Sequence, residues 1–412
     1  MLSANLRKVL VAVALTAPAP SAFANVITDW NENTVTLVTP RMAPAAGQRV
    51  VAIVQTAMFD AVNSIERRYR PYLLQIPAAP TASKEAAAAT AAGTVLAGLI
   101  PDAVARVKPL MASYLASIPN GEAKSKGIEL GQMVAAKHLE ARLHDGSDAP
   151  DSYRYKTKPG VYVPTPNMTS STWANVKPFA LTSASQFRPQ PPVSLASEEW
   201  AADYNEIKDF GDKTSTKRSE RQTEDGHFWL ITGPQSTEPV VRQIVLAKQM
   251  SLIDTARFMA VTAVAGADAA IAVFDAKYHY EFWRPITAIR NGDEDDNPAT
   301  ERDATWQPID NTPMHPEYPC AHCIISGAVA SAIEAQLGKA DIPEVTMTSP
   351  TAPGATHRWT NIRDYNNEVS QARIWAGFHY RFSTRVGQDM GRKIGEYVVK
   401  NLMQPAAIAD VR

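Results

Sequence analysis

The sequence predicts an all-α protein built as two packed helical bundles. Apolar residues recur at helical spacing over most of the chain, and the alternating runs that mark strands are nearly absent. Long alanine-rich segments also begin at residues suited to helix starts. With 412 residues, 45% of them apolar, the chain can bury one large core or two modest ones. Acidic and basic residues leave a net charge of -1. No electrostatic case therefore exists for a nucleic-acid or membrane-surface partner.

The elements follow in order. Arg7 and Lys8, the apolar stretch Val9 to Leu15, and Ala22–Phe23–Ala24 before Asn25 make residues 1–24 an expected signal peptide. The mature chain is then exported, to a periplasm or beyond the cell. Helices are expected over Arg49 to Arg68, Ser83 to Leu99, Ala103 to Ile118 and Ser125 to Leu143, the last stopping before Asp145–Gly146. Between Asp148 and Pro192 the composition shifts to Pro, Ser, Thr and aromatics such as Tyr162, Trp173, Phe179 and Phe187, which suits a loop draped over a site. These parts form an N-terminal region, 25–195.

The C-terminal region, 196–412, resumes near Ser197, with Glu198 and Glu199 in a first turn. A long pattern from Val240 to about Tyr278 reads as two helices, or as one kinked near Gly266. Its most apolar part, Phe258 to Ala276, contains Asp268 and Asp275 and suits a buried helix better than a membrane span. Cys323 to Gln336, Arg363 to Trp375 and Thr384 to Leu402 complete the set.

Chemistry concentrates in this region. Lys277 and Arg284 are seven apart, almost two helical turns, although Pro285 pushes Arg284 out of helical geometry. His322 follows Pro319 and opens an apolar helix, where unpaired backbone N–H groups form a natural anion cradle. Arg373 and His379 are six apart and converge only if the chain turns between them, which Gly377 permits. Cations plus imidazoles on three segments suit a compact oxyanion such as phosphate or vanadate.

The order Lys-x6-Arg-Pro, Pro-x-x-His and Arg-x5-His resembles the superfamily of vanadium-dependent haloperoxidases and type 2 phosphatidic acid phosphatases. The likeness is nearer to its soluble chloroperoxidase-like branch, whose N-terminal helices the segment Ala57–Met58–Phe59–Asp60–Ala61–Val62–Asn63 also resembles. The resemblance implies an active site in the C-terminal bundle, with Lys277, Arg284 and Arg373 as oxyanion ligands. It further implies that His379 binds vanadium, or is phosphorylated in the phosphatases, and that His322 is the acid–base group. His315 falls where bromoperoxidases carry a second histidine, and Phe274 near a pocket aromatic. One departure stands out. Pro319–Cys320–Ala321–His322 replaces the family's Pro-Ser-Gly-His, which removes a hydroxyl donor and a glycine. In an oxidising compartment Cys320 and Cys323 suit a disulfide.

Other signals are weaker. Cys320–Ala321–His322–Cys323 alone suggests a thiol oxidoreductase, but the βαβ context is missing. For zinc the histidines are scattered and no second ligand pair sits at a suitable spacing. The run Asp293 to Asp296 lacks the glycine and glutamate of a calcium loop. The first expectation is therefore an enzyme that uses vanadate and hydrogen peroxide to oxidise halide. Alternatives are an acid phosphatase acting on phosphate esters through a phosphohistidine, and a non-catalytic periplasmic oxyanion binder. A homodimer is compatible with all three.

Overall fold

The computed structural model describes residues 25–164 and 168–406; the expected signal peptide, 1–24, lies outside the described residues. Helices dominate, as the spacing of apolar residues requires. In the N-terminal part run α1 (Val26–Val38), α2 (Pro44–Glu66), α3 (Lys84–Leu99), α4 (Val104–Ala116) and α5 (Glu122–Arg142). Asn25 caps α1 with a reciprocal bond to Thr28, Pro44 opens α2, and Ser83 caps α3. The alanines of α3 let α5 approach closely: a Cβ at Gly131 would meet the Ala87 carbonyl oxygen at 2.5 Å.

In the C-terminal part follow α6 (Glu198–Gly211), α7 (Glu220–Phe228), α8 (Glu238–Ala247), α9 (Leu252–Tyr280), α10 (Pro285–Arg290) and α11 (Ala321–Leu337). An antiparallel hairpin, β1 (Asp341–Ser349) and β2 (Ala352–Asn361), precedes α12 (Ile362–Trp375) and α13 (Arg381–Asn401). Helix α9 is the common axis, packing against α2, α11 and α13. It is long and apolar enough to cross a membrane by length and composition, yet 94% of its most apolar window is buried against protein.

Of the two readings of the Val240 to Tyr278 pattern, two helices holds and a kink near Gly266 does not. The break in the Val240 to Tyr278 pattern lies at residues 248–251, where Gln249 adopts φ 49° and Ser251 caps α9 through the Asp254 amide. Gly266 is inside an unbroken α9; its missing side chain makes room for Gln48, 3.3 Å from where a Cβ would be. The hairpin was not expected either. Pro343 interrupts an otherwise strand-like alternation in which Ile342, Val345 and Met347 point inward.

Residues 148–164 and 168–192 are draped as their aromatics suggest. Trp173 and Phe179 are buried, and the Asp268 carboxylate on α9 accepts the Phe179, Ala180 and Leu181 amides at 2.7, 2.7 and 3.0 Å. The aspartate that interrupts the apolar stretch of α9 is the anchor of this loop. Asp60 does the same for residues 72–74, accepting three amides and bonding His138.

Candidate active site

Lys277 sits in the last turn of α9 and is fully buried. Its Nζ donates to the carbonyls of Pro316 and Glu317 at 2.8 and 2.7 Å. The helix then stops: Glu281 takes a left-handed C-cap, and Arg284 is extended before Pro285 as that proline demands. Arg284 is thereby turned inward. It donates to the carbonyls of His315 at 2.9 Å and Phe378 at 3.0 Å, meets Nδ1 of His315 at 2.9 Å, and approaches Nε2 of His379 at 3.3 Å.

The third motif closes on itself through Gly377. Its φ is 78°, and a Cβ there would stand 2.5 Å from the Gly211 carbonyl oxygen, so the position has room for glycine alone. The chain doubles back, so the Phe378 and His379 amides both donate to the Arg373 carbonyl. Arg373 and His379, on divergent faces of a straight helix, now converge. Arg373 donates to the Trp229 carbonyl, and its Nε is buried with no hydrogen-bond partner.

His379 is buried, and its Nδ1 meets Oε1 of Glu317 at 2.6 Å. When Nδ1 donates its proton there, Nε2 is left as a lone pair facing Arg284. His322 and His315 are half-buried at the mouth, His322 bonding the Ile231 carbonyl at 3.0 Å and His315 packed edge-on against Phe274. Together with Ile325, Tyr365 and Val369 they line a pocket of about 90 Å³. That is room for a few water-sized molecules.

The electrostatics are one-sided. Among the described residues, Lys277, Arg284 and Arg373 bond to backbone carbonyls and an imidazole, and to no carboxylate. Burial, then the neighbouring Arg284, holds the Lys277 ammonium well below its usual range. Burial lowers Arg284 to about 10 and Arg373 to about 9. Burial and the same cations push His315, His322 and His379 well below ordinary imidazole values, while burial lifts Glu317 to about 7. A compact anion would favour the charged forms of these cations and imidazoles together, while pushing Glu317 further up.

Residues 257–407 match the model of the VCPO second helical-bundle domain. Vanadium chloroperoxidase of Curvularia inaequalis is 30% identical over 186 residues, 37% of this chain and 30% of the relative. The match thus spans less than a third of that relative's length. A bacterial vanadium-dependent iodoperoxidase structure superposes with TM-score 0.80 at 22% identity, covering 93% of this chain and 99% of its own. A holo bacterial vanadium-dependent chloroperoxidase gives 0.73 at 17% identity, covering 92% and 97%. Residues 257–407 thus carry the VCPO second helical-bundle domain, and the chain shares the fold of the bacterial vanadium-dependent haloperoxidases.

Within that fold the cysteine segment has its own solution. Cys320 and Cys323 form a disulfide, and Cys320 Sγ accepts the Cys323 amide at the start of α11. The Cys320 side chain has no proton to donate, and its amide is given to the Ser383 carbonyl. What this segment offers an anion is the N–H groups of Ala321 and His322, which have no preceding helical turn to bond. Glu317 escaped the sequence reading. A buried acid two residues after His315 and two before Pro319 was the signal available, but nothing in the spacing ties it to His379, 62 residues on.

Proposed function

We propose that this protein is a vanadate-dependent haloperoxidase that uses hydrogen peroxide to oxidise halide. The observation that carries the reading is the cage itself: three buried cations without a carboxylate hydrogen-bond partner among the described residues, around an imidazole whose Nε2 faces Arg284 at 3.3 Å. Those residues fit vanadate. Lys277, Arg284, Arg373 and the Ala321 and His322 amides would hold its oxygens, and His379 would ligate vanadium. The cofactor would supply Lewis-acid activation of peroxide without changing oxidation state.

The chain's own residues do the rest. Glu317 fixes the His379 tautomer through Nδ1. His322, neutral and at the pocket mouth, is placed to accept a proton from an incoming peroxide. Phe274, Ile325 and Val369 keep the approach apolar, which strengthens each charge interaction inside. The disulfide leaves no thiol beside an oxidising site, and it accords with an exported protein.

The Glu317–His379 pair equally suits a nucleophilic histidine, so phosphomonoester hydrolysis is the second reading. One experiment separates them: purified protein is assayed with and without vanadate for peroxide-dependent bromination and iodination and for ester hydrolysis. Halogenation that requires vanadate supports the proposal; hydrolysis inhibited by vanadate supports the phosphatase. Full activity retained by folded Arg284→Ala and His379→Ala would remove this site from either chemistry.

A further inference from the structure

A second cluster lies on the far side of Trp229. His357 on β2, itself 2% exposed, faces Glu224 and Asp225 on α7. Its Nδ1 meets Oε1 of Glu368 at 2.5 Å, and Glu368 is held by the indole N–H groups of Trp229 and Trp359, each at 3.0 Å. Phe228 stacks on the ring at 3.7 Å. The imidazole is pinned everywhere except at Nε2. That atom is buried without a hydrogen-bond partner, and Asp225 Oδ1, likewise without a hydrogen bond, meets only the charge of Arg221 at 2.9 Å besides His357.

The separations are informative. Nε2 is 3.4 Å from Glu224 Oε1 and 3.6 Å from Asp225 Oδ1, and all three atoms lie within 4.8 Å of one another. A proton bridges 2.7–3.2 Å, so neither gap is a sound hydrogen bond. Zinc–nitrogen and zinc–oxygen bonds of about 2.0–2.2 Å at tetrahedral angles place donor atoms about 3.3–3.5 Å apart. With Nδ1–H given to Glu368, Nε2 presents a lone pair to two carboxylates, an arrangement that calls for a cation between them. A carboxylate behind the imidazole is also the usual support of a metal-ligating histidine.

We propose that Glu224, Asp225 and His357 bind one divalent cation of the zinc type, with solvent in the fourth position. Imidazole plus carboxylate donors favour zinc over calcium or magnesium. Arg221 now supplies the positive charge: its guanidinium hydrogen-bonds Glu224 Oε1 and pairs by charge with Asp225 Oδ1, both at 2.9 Å. Its side chain is 57% exposed, so it can swing into solvent when the ion enters. The metal would tie the hairpin to α7. Through Trp229, whose carbonyl accepts from Arg373, it would brace one wall of the oxyanion cage. This holds whichever reaction that cage performs.

The test is a Zn²⁺ titration of the EDTA-treated full chain by calorimetry, with indole fluorescence followed in parallel. Expected is one zinc per chain, with a fluorescence change from Trp229 and Trp359. Asp225→Asn, nearly isosteric, should weaken binding at least 10-fold and His357→Ala more than 100-fold. Glu368→Gln, which would not touch the ion, should weaken it about 10-fold or more, whereas Arg221→Gln should tighten it. Absence of binding at millimolar Zn²⁺ would overturn the proposal and leave a proton-held cluster. Binding of one equivalent unchanged in both Asp225→Asn and His357→Ala would place the ion elsewhere and overturn it equally.

Discussion

Glu317→Gln separates two roles that one carboxylate plays at the candidate site. The Glu317–His379 contact at 2.6 Å is charge-assisted whenever Glu317 is ionised. Such bonds contribute about 1.5–3 kcal/mol against about 0.5–1.5 for neutral ones, so glutamine should loosen the tautomer lock by about 1–2 kcal/mol. An opposite effect accompanies it. Removing a negative charge beside a bound oxyanion gains on the order of 2 kcal/mol at an effective dielectric near 20. Because burial lifts Glu317 to about 7 and a bound anion pushes it further up, much of that gain is already realised by protonation. Absolute affinities will therefore move little. The ratio of phosphate to vanadate affinity is the useful quantity, since the charge effect is common to both ions and cancels. If His379 Nε2 bonds vanadium and only contacts phosphate, the preference for vanadate should fall about 5–30-fold. Competitive equilibrium dialysis at pH 7 measures this. An unchanged ratio, with both ions bound more tightly, would refute the lock and reduce Glu317 to a stray charge.

Three further outcomes are expected. Arg373→Lys should keep its positive charge but lose the fork that reaches the Trp229 carbonyl and leaves Nε free, weakening phosphate or vanadate binding about 10–100-fold by calorimetry with little change in melting temperature. Asp268→Asn replaces an acceptor of three amides by a group that must turn an NH2 toward one of them; urea titration should show a loss of about 2–4 kcal/mol and earlier proteolysis of residues 148–192. The ligand-free protein should gain stability as pH rises from about 5 to 6.5, because the unfolded chain protonates His315, His322 and His379 there while the folded cage holds them neutral. Glu317, raised to about 7, works against this between about 4.5 and 7 with one proton against three. Saturating phosphate should flatten the slope, since a bound anion lets the imidazoles charge; a slope unaltered by phosphate would contradict the cage.

Most helices were legible because each carries a complete local signal. Val51, Val54, Met58 and Val62 on α2 recur at helical spacing, although residues 50–65 are buried on every side, and Ser83 or Ser197 marks a start by capping the amide three residues on. What escaped was set by tertiary context. The ends of α8 and α9 turn on Gln249 in a left-handed conformation, which no spacing announces, whereas Gly266 looked like a hinge and is a packing contact. The short α7 (Glu220–Phe228) shows no apolar stripe, because its inner face is Asp225, Gly226 and Phe228. The same holds for His357 and its partners. They come from α7, β2 and α12, over 130 residues apart at the extreme, so the histidine reads as scattered until the fold assembles it.

The site was legible in its cations and not in what keeps them buried. Lys277, Arg284 and Arg373 are stabilised by the carbonyls of His315, Pro316, Glu317, Phe378 and Trp229, none of which lies in a helix interior. A helical carbonyl already accepts from four residues on and offers little to a side chain. Burying three cations without carboxylates thus requires irregular backbone around them. The proline-punctuated segment 313–319 and the Gly377 turn supply it. Carboxylate partners would have solved the burial problem more simply and filled the place an oxyanion needs. The irregular backbone is therefore part of the anion site: it satisfies each cation's spare donors while leaving their charge uncompensated and available.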